Sequence, residues 1–442
     1  MKKVLLLGAG MVARPMVDYL LNHPIQLTIA TRTVEKAQKL LKNTPNGNAV
    51  SWTAENMEML ETMIQEHDLV VSLLPYSHHV AVAKLCVKYG KNMVTTSYVS
   101  EKMKALDSAA QNAEIIILNE IGVDPGLDHM TAMRIINKVH GKGGKVKEFY
   151  SLCGALAAPE EADNPFRYKF SWSPRGVIMA GNNSARFLKN SEIVEIASED
   201  LFKNPLQINF PEVGEMEVYP NRNSLLYIDL YKIPNIETMY RGTFRYKDWC
   251  ETMDALKTIG MLRYDRKSFE GKTYKKVMAR QLEVYPANMK EKVAEHLSLS
   301  IDNPAIVAME WLGLFSDDLV QMSEGSTFDL TTDLMLKKMM LPEGARDMVI
   351  MMHSFLIENK DGSKEVVKSH MLDFATKEDT SIARTVALPA AIAVKMILDG
   401  QITAKGVQIP ITKDIYEPVL NELHTLGITM KEKWGLPESE KL

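Results

Sequence analysis

A chain of 442 residues is long enough for two or three domains with a core that folds without disulfides. Its 52 Lys and Arg against 56 Asp and Glu leave a formal charge of −4, which gives no sign of the strongly basic balance of a nucleic-acid-binding chain. Three scattered cysteines, Cys86, Cys153 and Cys250, lack CxxC or His/Cys metal spacing, so a disulfide scaffold is excluded, no metal is expected, and reduced thiols in the cytoplasm are. The chain enters a strand at once with no secretory pattern, and apolar runs such as 68–74 are too short to cross a bilayer, so neither export nor a membrane is expected.

The first strand, residues 3–7, turns through Gly8, Ala9 and Gly10 straight into a helix over 11–22. Such a turn aims free backbone N–H groups and the positive end of a helix at an anion, and a nucleotide pyrophosphate is the expected occupant. Gly8 permits the tight turn, Gly10 admits the phosphates, Ala13 allows close helix packing, and Pro15 fits the first helical turn. A second strand over 26–31 ends at Arg32, flanked by Thr31 and Thr33. An acidic residue there would suit the 2′-hydroxyl of NAD, whereas arginine and hydroxyls suit a 2′-phosphate, so NADP is expected. The competing reading leaves Arg32 a solvated surface charge.

Strands over 49–52, 69–74, 92–96 and 114–118 follow, separated by helical patterns over 34–42, 55–65, 79–89 and 101–112. This alternation specifies an α/β fold, a Rossmann-type doubly wound parallel sheet with right-handed crossovers. Beyond the turn at 122–126 the pattern becomes α+β: a helix over 127–140, a strand over 145–153, and a hairpin in which Asp361-Gly362 joins 348–358 to 364–374. A helix rich in small residues spans 381–397. The expected domains are a nucleotide domain of 1–123 plus about 385–442, and a second α+β domain, 124–384, for substrate binding and dimerisation.

Several separated runs resemble the saccharopine reductases, the NADP-dependent, L-glutamate-forming saccharopine dehydrogenases: VTTSYVS at 94–100, NEIGVDPGLDH at 119–129, YKFSWS at 168–173, YPNRNS at 219–224 and RGTFRY at 241–246. The resemblance implies a homodimer that joins L-glutamate to aminoadipate semialdehyde and reduces the imine to saccharopine. It places Gly8, Gly10, Met11 and Val12 at the pyrophosphate, Arg32 and Thr33 at the 2′-phosphate, Leu74 and Pro75 by the ribose, and Thr96 and Val123 near the nicotinamide. Ser173 is implied close to the cofactor; Pro174 follows it, where serine or alanine would sit more comfortably.

Saccharopine carries three carboxylates and two amines, so its site needs guanidinium forks, hydroxyl donors and a carboxylate. The resemblance gives Arg222 a substrate carboxylate, makes Ser97 and Tyr98 hydrogen-bond donors, and places Asp124, Cys153 and Thr243 against the substrate. Asp124 and Cys153 are the candidates for the proton route. Read from the residues alone, Arg222 also suits a structural ion pair, Asp124 a turn before Pro125-Gly126, and Cys153 a small buried hydrophobe. His78 and His79 face different ways at a helix start, and His129 is read as packing. Two alternatives stand: a carboxynorspermidine-type dehydrogenase, against which Arg222, Arg241 and Arg245 argue because a polyamine arm needs acidic lining, and a non-catalytic NADP-binding redox sensor.

Overall fold

The computed structural model describes residues 1–442, which form two compact units: Met1–Gly144 with Asn359–Ser363 and Ser369–Lys433, and Lys145–Glu358 with Lys364–Lys368 and Trp434–Leu442.

The first unit is built on a seven-stranded sheet in the order Gly406–Gln408, Ile116–Leu118, Asn92–Val94, Leu69–Ser72, Lys2–Leu7, Ile25–Thr31 and Gly47–Ser51. Every pairing in it is parallel. Val4 to Leu7 are buried on both faces, as the unbroken apolar run requires of a central strand covered by helices. The order reverses direction beside Lys2–Leu7, and at such switch points open α/β sheets bind ligands beyond the carboxyl ends of their strands. The helix Ser381–Leu398 is the one helix long and apolar enough to cross a membrane, yet most of it is buried. Ala387, Ala390, Ala391 and Ala393 carry no exposed surface, and these small side chains let the helix pack closely on Arg14–Leu21.

The unit boundaries differ from the sequence expectation at four stretches: residues 124–144, 359–363 and 369–384, expected in the second domain, fall in the first unit, and residues 434–442 fall in the second. The helix Leu127–Gly141, expected to open the second domain, belongs to the first unit, where its buried stripe packs on Lys413–Thr425 and Asn137 Nδ2 donates to Tyr416 Oη at 2.9 Å. Residues 434–442, expected with the nucleotide domain, belong to the second unit, where Lys441 pairs with Glu148 at 3.1 Å.

The second unit carries a nine-stranded sheet whose main path runs Leu206–Phe210, Gly214–Pro220, Thr238–Tyr246, Lys145–Ala157, Asp347–Glu358, Lys364–Phe374 and Lys431–Leu436, with Ala185–Lys189 and Glu192–Ile196 to one side. The expected sheet is antiparallel, and most pairs are; Thr238–Tyr246 and Lys145–Ala157 instead run parallel. Aromatic packing anchors it: Phe149 stacks on Phe355 with centroids 4.2 Å apart, and Tyr231 tilts against Phe149.

Candidate active site

In the first unit the predicted cofactor residues gather at the carboxyl ends of the parallel strands. Gly8 follows Lys2–Leu7 with φ +105°, and a Cβ there would lie 3.2 Å from the Leu73 carbonyl oxygen, so the next strand end demands glycine. Gly10 is exposed, and a Cβ there would meet nothing within 4 Å. Its small size serves no packing need of the chain; it leaves a cradle beside the exposed Met11 and the half-buried Val12, ahead of the Arg14–Leu21 helix. Ala13 is fully buried at the close helix–sheet approach.

Arg32 stands exposed just after Ile25–Thr31 and makes no ion pair. Thr33 is the N-cap of Val34–Leu41, and its hydroxyl makes no capping bond. A guanidinium and an uncommitted hydroxyl at a helix start suit a phosphate dianion, so the donors fit NADP. Arg14, which sequence reasoning passed over, is committed elsewhere: Nη1 donates to the Glu378 carbonyl at 2.6 Å, and Asp18 and Asp379 flank Nε. Leu74 and Pro75 follow Leu69–Ser72, Pro75 introducing the short 3-10 turn Tyr76–His78.

The next two strand ends carry Thr96, Ser97, Tyr98, Val123 and Asp124. A Cβ on Gly122 would lie 3.2 Å from Thr96 Cβ, so glycine lets the segments bearing Thr96 and Val123 meet. The Tyr98 phenol donates to Asp124 Oδ1 at 3.1 Å, bringing a predicted donor and the predicted carboxylate into one pair. Glu120 fixes this edge: its Oε1 accepts from Val99 N at 2.8 Å, its Oε2 meets His129 Nε2 at 2.8 Å, and its own N–H donates to the Ser97 carbonyl. His129 is therefore a fully buried support of the loop rather than simple packing. Ser100, not Ser97, caps the following helix by accepting from Met103 N at 3.1 Å, which leaves the Ser97 hydroxyl for another task. His79, read from sequence as one of an unproductive pair, lies beneath Ser97 with Nε2 2.8 Å from its Oγ. Burial, then the neighbouring His78, pulls its imidazole down to about 4, so the ring is neutral at physiological pH.

In the second unit, register assembles a row across three strands: Tyr219 faces Thr243, and Thr243 faces Cys153. Directly paired residues project on one face of a sheet, so the predicted Cys153 and Thr243 are neighbours and Tyr219 joins them. The Tyr219 phenol is pushed up by burial, against which Arg245, Thr243 and Arg222 act. Arg222 lies in the turn after Gly214–Pro220 with φ +51° and an exposed side chain. Ser173 is exposed and stands at the N-cap position of Pro174–Ala180, where its hydroxyl makes no capping bond; Pro174 takes the first helical turn, where its missing N–H costs nothing, so it starts a helix rather than disturbing the loop.

The expected lining by three arginines is corrected. Arg241 is buried, stacks on Tyr227 at 4.2 Å and donates to its hydroxyl at 2.5 Å. Arg245 is buried among Tyr168, Tyr219 and Trp249 and donates to Tyr219 Oη at 3.2 Å. Both lie on the strand Thr238–Tyr246, on the same face as Thr243, with their guanidinium groups held against Tyr227 and Tyr219, whereas Arg222 occupies a turn. The argument against a polyamine substrate therefore rests on Arg222 alone.

A doubly wound sheet with a glycine cradle, an exposed arginine just beyond the second strand and a hydroxyl–carboxylate pair at neighbouring strand ends fits an NADP-type dinucleotide-binding oxidoreductase. Comparison narrows the class. Residues 4–118 match the family model "Saccharopine dehydrogenase NADP binding domain", and residues 122–428 match "Saccharopine dehydrogenase C-terminal domain". The chain is 37% identical to the NADP-dependent, L-glutamate-forming saccharopine dehydrogenase of Pyricularia oryzae, over 100% of this chain and 99% of that protein. It is 38% identical to the enzyme of that name from Saccharomyces cerevisiae, over 98% and 99%. The solved apo structure of the saccharopine dehydrogenase (L-Glu forming) from Saccharomyces cerevisiae superposes with a TM-score of 0.91 at 37% identity, covering 98% of this chain and 100% of that one. The chain belongs to the saccharopine dehydrogenase family.

Proposed function

We propose that this protein reduces the imine of L-glutamate and L-2-aminoadipate 6-semialdehyde to saccharopine with NADPH, and oxidises saccharopine with NADP in reverse, within lysine metabolism. The observation that carries the reading is identity along the whole length of both family domains with L-glutamate-forming enzymes. A cytoplasmic homodimer is part of the same proposal. The carboxynorspermidine and redox-sensor alternatives find no support in these full-length relationships.

Gly8, Gly10, Met11 and Val12 would hold the pyrophosphate through backbone N–H groups, Arg32 and Thr33 the 2′-phosphate, and Leu74 and Pro75 the ribose. Thr96, Val123 and Ser173 would border the nicotinamide. When bound, this cofactor supplies or accepts the hydride. Arg222 would clamp one substrate carboxylate through two parallel N–H donors. Ser97 would donate to a substrate oxygen, Tyr98, whose single O–H is engaged with Asp124, would contact the substrate beside it, and Cys153 and Thr243 would line the substrate. Condensation of amine and aldehyde releases water, and reduction of the imine takes up one proton with the hydride. Asp124, oriented by the Tyr98 phenol, together with Cys153 or a water, is proposed for that proton.

The test is NADPH oxidation with L-glutamate and the semialdehyde supplied together. Turnover that requires both supports the proposal. Cofactor binding without turnover on any amine–carbonyl pair would overturn it in favour of a sensor.

A further inference from the structure

His79 bridges the ends of two adjacent parallel strands. It is the first residue of His79–Tyr89 and is 4% exposed. Its Nδ1 lies 2.9 Å from Oγ of Ser72, the last residue of Leu69–Ser72, and its Nε2 lies 2.8 Å from Oγ of Ser97, just beyond Asn92–Val94. Thr95 Oγ1 is a longer neighbour of Nε2 at 3.3 Å and already accepts from Ser97 N at 3.4 Å.

We propose that His79 is a positioning residue whose Nε2–H donates to Ser97 Oγ and thereby turns the Ser97 hydroxyl hydrogen outward, toward a substrate carboxylate. The inference deepens, and rests on, the reading of Ser97 as a substrate contact. Its first support is proton accounting. Ser72 is fully buried and its hydroxyl has His79 Nδ1 as its one partner. Each tautomer strands one buried hydroxyl hydrogen, that of Ser72 with the proton on Nδ1 and that of Thr95 with the proton on Nε2; the Ser72 contact at 2.9 Å is the shorter, so donation by Ser72 to Nδ1 is favoured over donation by Thr95 to Nε2 across 3.3 Å. Donation by Ser72 leaves the proton of the neutral ring on Nε2. The three groups then form a one-way chain, Ser72 O–H to Nδ1, Nε2–H to Ser97 Oγ, and Ser97 O–H to an anion.

The second support is that the ring stays neutral. A protonated imidazole would break the Ser72 donation, and burial holds the ring well below physiological pH. His79 therefore acts as a fixed dipole and not as a proton shuttle. Ser97 is only half-buried, so its hydroxyl can meet a ligand.

Steady-state kinetics of His79→Leu, His79→Gln, Ser97→Ala and the His79→Leu/Ser97→Ala pair test the proposal, together with 15N NMR of the wild-type ring. His79→Leu is expected to raise the KM for saccharopine about tenfold, as for the loss of one hydrogen bond to an anion, with the KM for NADP unchanged. His79→Gln, which keeps an N–H near the Nε2 position, is expected to recover most of that loss. In the Ser97→Ala background His79→Leu should add nothing further. The NMR spectrum should show the protonated nitrogen at Nε2, and this decides the matter should His79→Leu not fold. A proton on Nδ1, additive losses in the pair, or equal losses for NADP and saccharopine would overturn the relay. If Ser97→Ala raises the saccharopine KM and His79→Leu does not, the relay alone falls. If Ser97→Ala leaves it unchanged, the Ser97 reading falls as well.

Discussion

The two units place their functional groups by different means. In the first, the groups sit on turns that immediately follow parallel strands, so each is delivered by a short stretch of chain: Gly8 and Gly10 after Lys2–Leu7, Arg32 and Thr33 after Ile25–Thr31, Ser97 and Tyr98 after Asn92–Val94. In the second, Tyr219, Thr243 and Cys153 come from three strands and meet only through register. In the proposed function the first arrangement binds with backbone geometry and the second with side chains on a sheet face. Substitutions should therefore fail differently in the two: conformationally in the turns, chemically on and beside the sheet.

The largest effect is expected where a turn has no room. At Gly126, φ is +146° and a Cβ would lie 2.1 Å from the Gly122 carbonyl oxygen and 2.3 Å from its nitrogen. Gly126→Ala should cost more than about 4 kcal/mol and leave little folded protein, as thermal unfolding followed by circular dichroism would report. A wild-type melting curve would show that this turn is not fixed by backbone geometry. Next is Arg222→Ala. Loss of a guanidinium clamp on a carboxylate should lower kcat/KM for saccharopine by about a hundredfold to a thousandfold, with NADPH affinity and melting temperature retained. Unchanged turnover would remove the clamp from the proposed mechanism.

The same contrast explains what could be read in advance. A glycine turn between a strand and a helix, followed by a second strand ending in arginine, lies within one run of residues and carries its geometry with it. The row Tyr219–Thr243–Cys153 requires knowing which strands pair, and the parallel pairing of Thr238–Tyr246 with Lys145–Ala157 leaves no local mark. Cys153 and Thr243 are accordingly marked only by family resemblance, and Tyr219, their neighbour in the row, carries no local signal. Arg222, Arg241 and Arg245 look alike in sequence; only the fold separates an arginine in a turn from two whose guanidinium groups are spent on tyrosines. His79 has no partner in its neighbour His78, which faces another way at the helix start. Its actual partners, Ser72 and Ser97, belong to adjacent strands, and no spacing rule links them.

Acid stability reports on His79. Its folded value of about 4 lies below the ordinary 6.5. As pH falls below 6.5 the unfolded chain takes up the proton first, so stability is intact above about pH 6.5 and is lost progressively toward pH 4. The full loss is about 3 kcal/mol. Denaturant unfolding from pH 7 to 4 should show a steeper fall for the wild type than for His79→Gln. His67, also lowered by burial, contributes in the same direction in both proteins and cancels in the difference. Parallel curves would mean that the folded ring takes up its proton as readily as the unfolded one. Arg32→Asp should move cofactor preference from NADP toward NAD by about a hundredfold, read as the ratio of kcat/KM values, since a carboxylate there repels a 2′-phosphate and accepts a 2′-hydroxyl. An unaltered preference would mean that the phosphate is read elsewhere.

Gly10→Ala makes the finest division between a glycine the fold needs and one the ligand needs. Its φ lies outside the left-handed region and an added methyl would touch nothing within 4 Å, so alanine fits the folded chain. Replacing glycine also restricts the unfolded chain, which should stabilise the variant by about 0.5 kcal/mol. The methyl would nonetheless stand where the backbone must approach the pyrophosphate, and NADPH affinity should fall about tenfold or more. Gly8→Ala, by contrast, places a methyl 3.2 Å from the Leu73 carbonyl in a left-handed conformation and should lower stability as well as affinity. Calorimetry and NADPH fluorescence titration on the pair separate the two roles. A Gly10→Ala protein that melts normally yet binds NADPH as tightly as the wild type would mean that the open space at Gly10 is not where the phosphates lie.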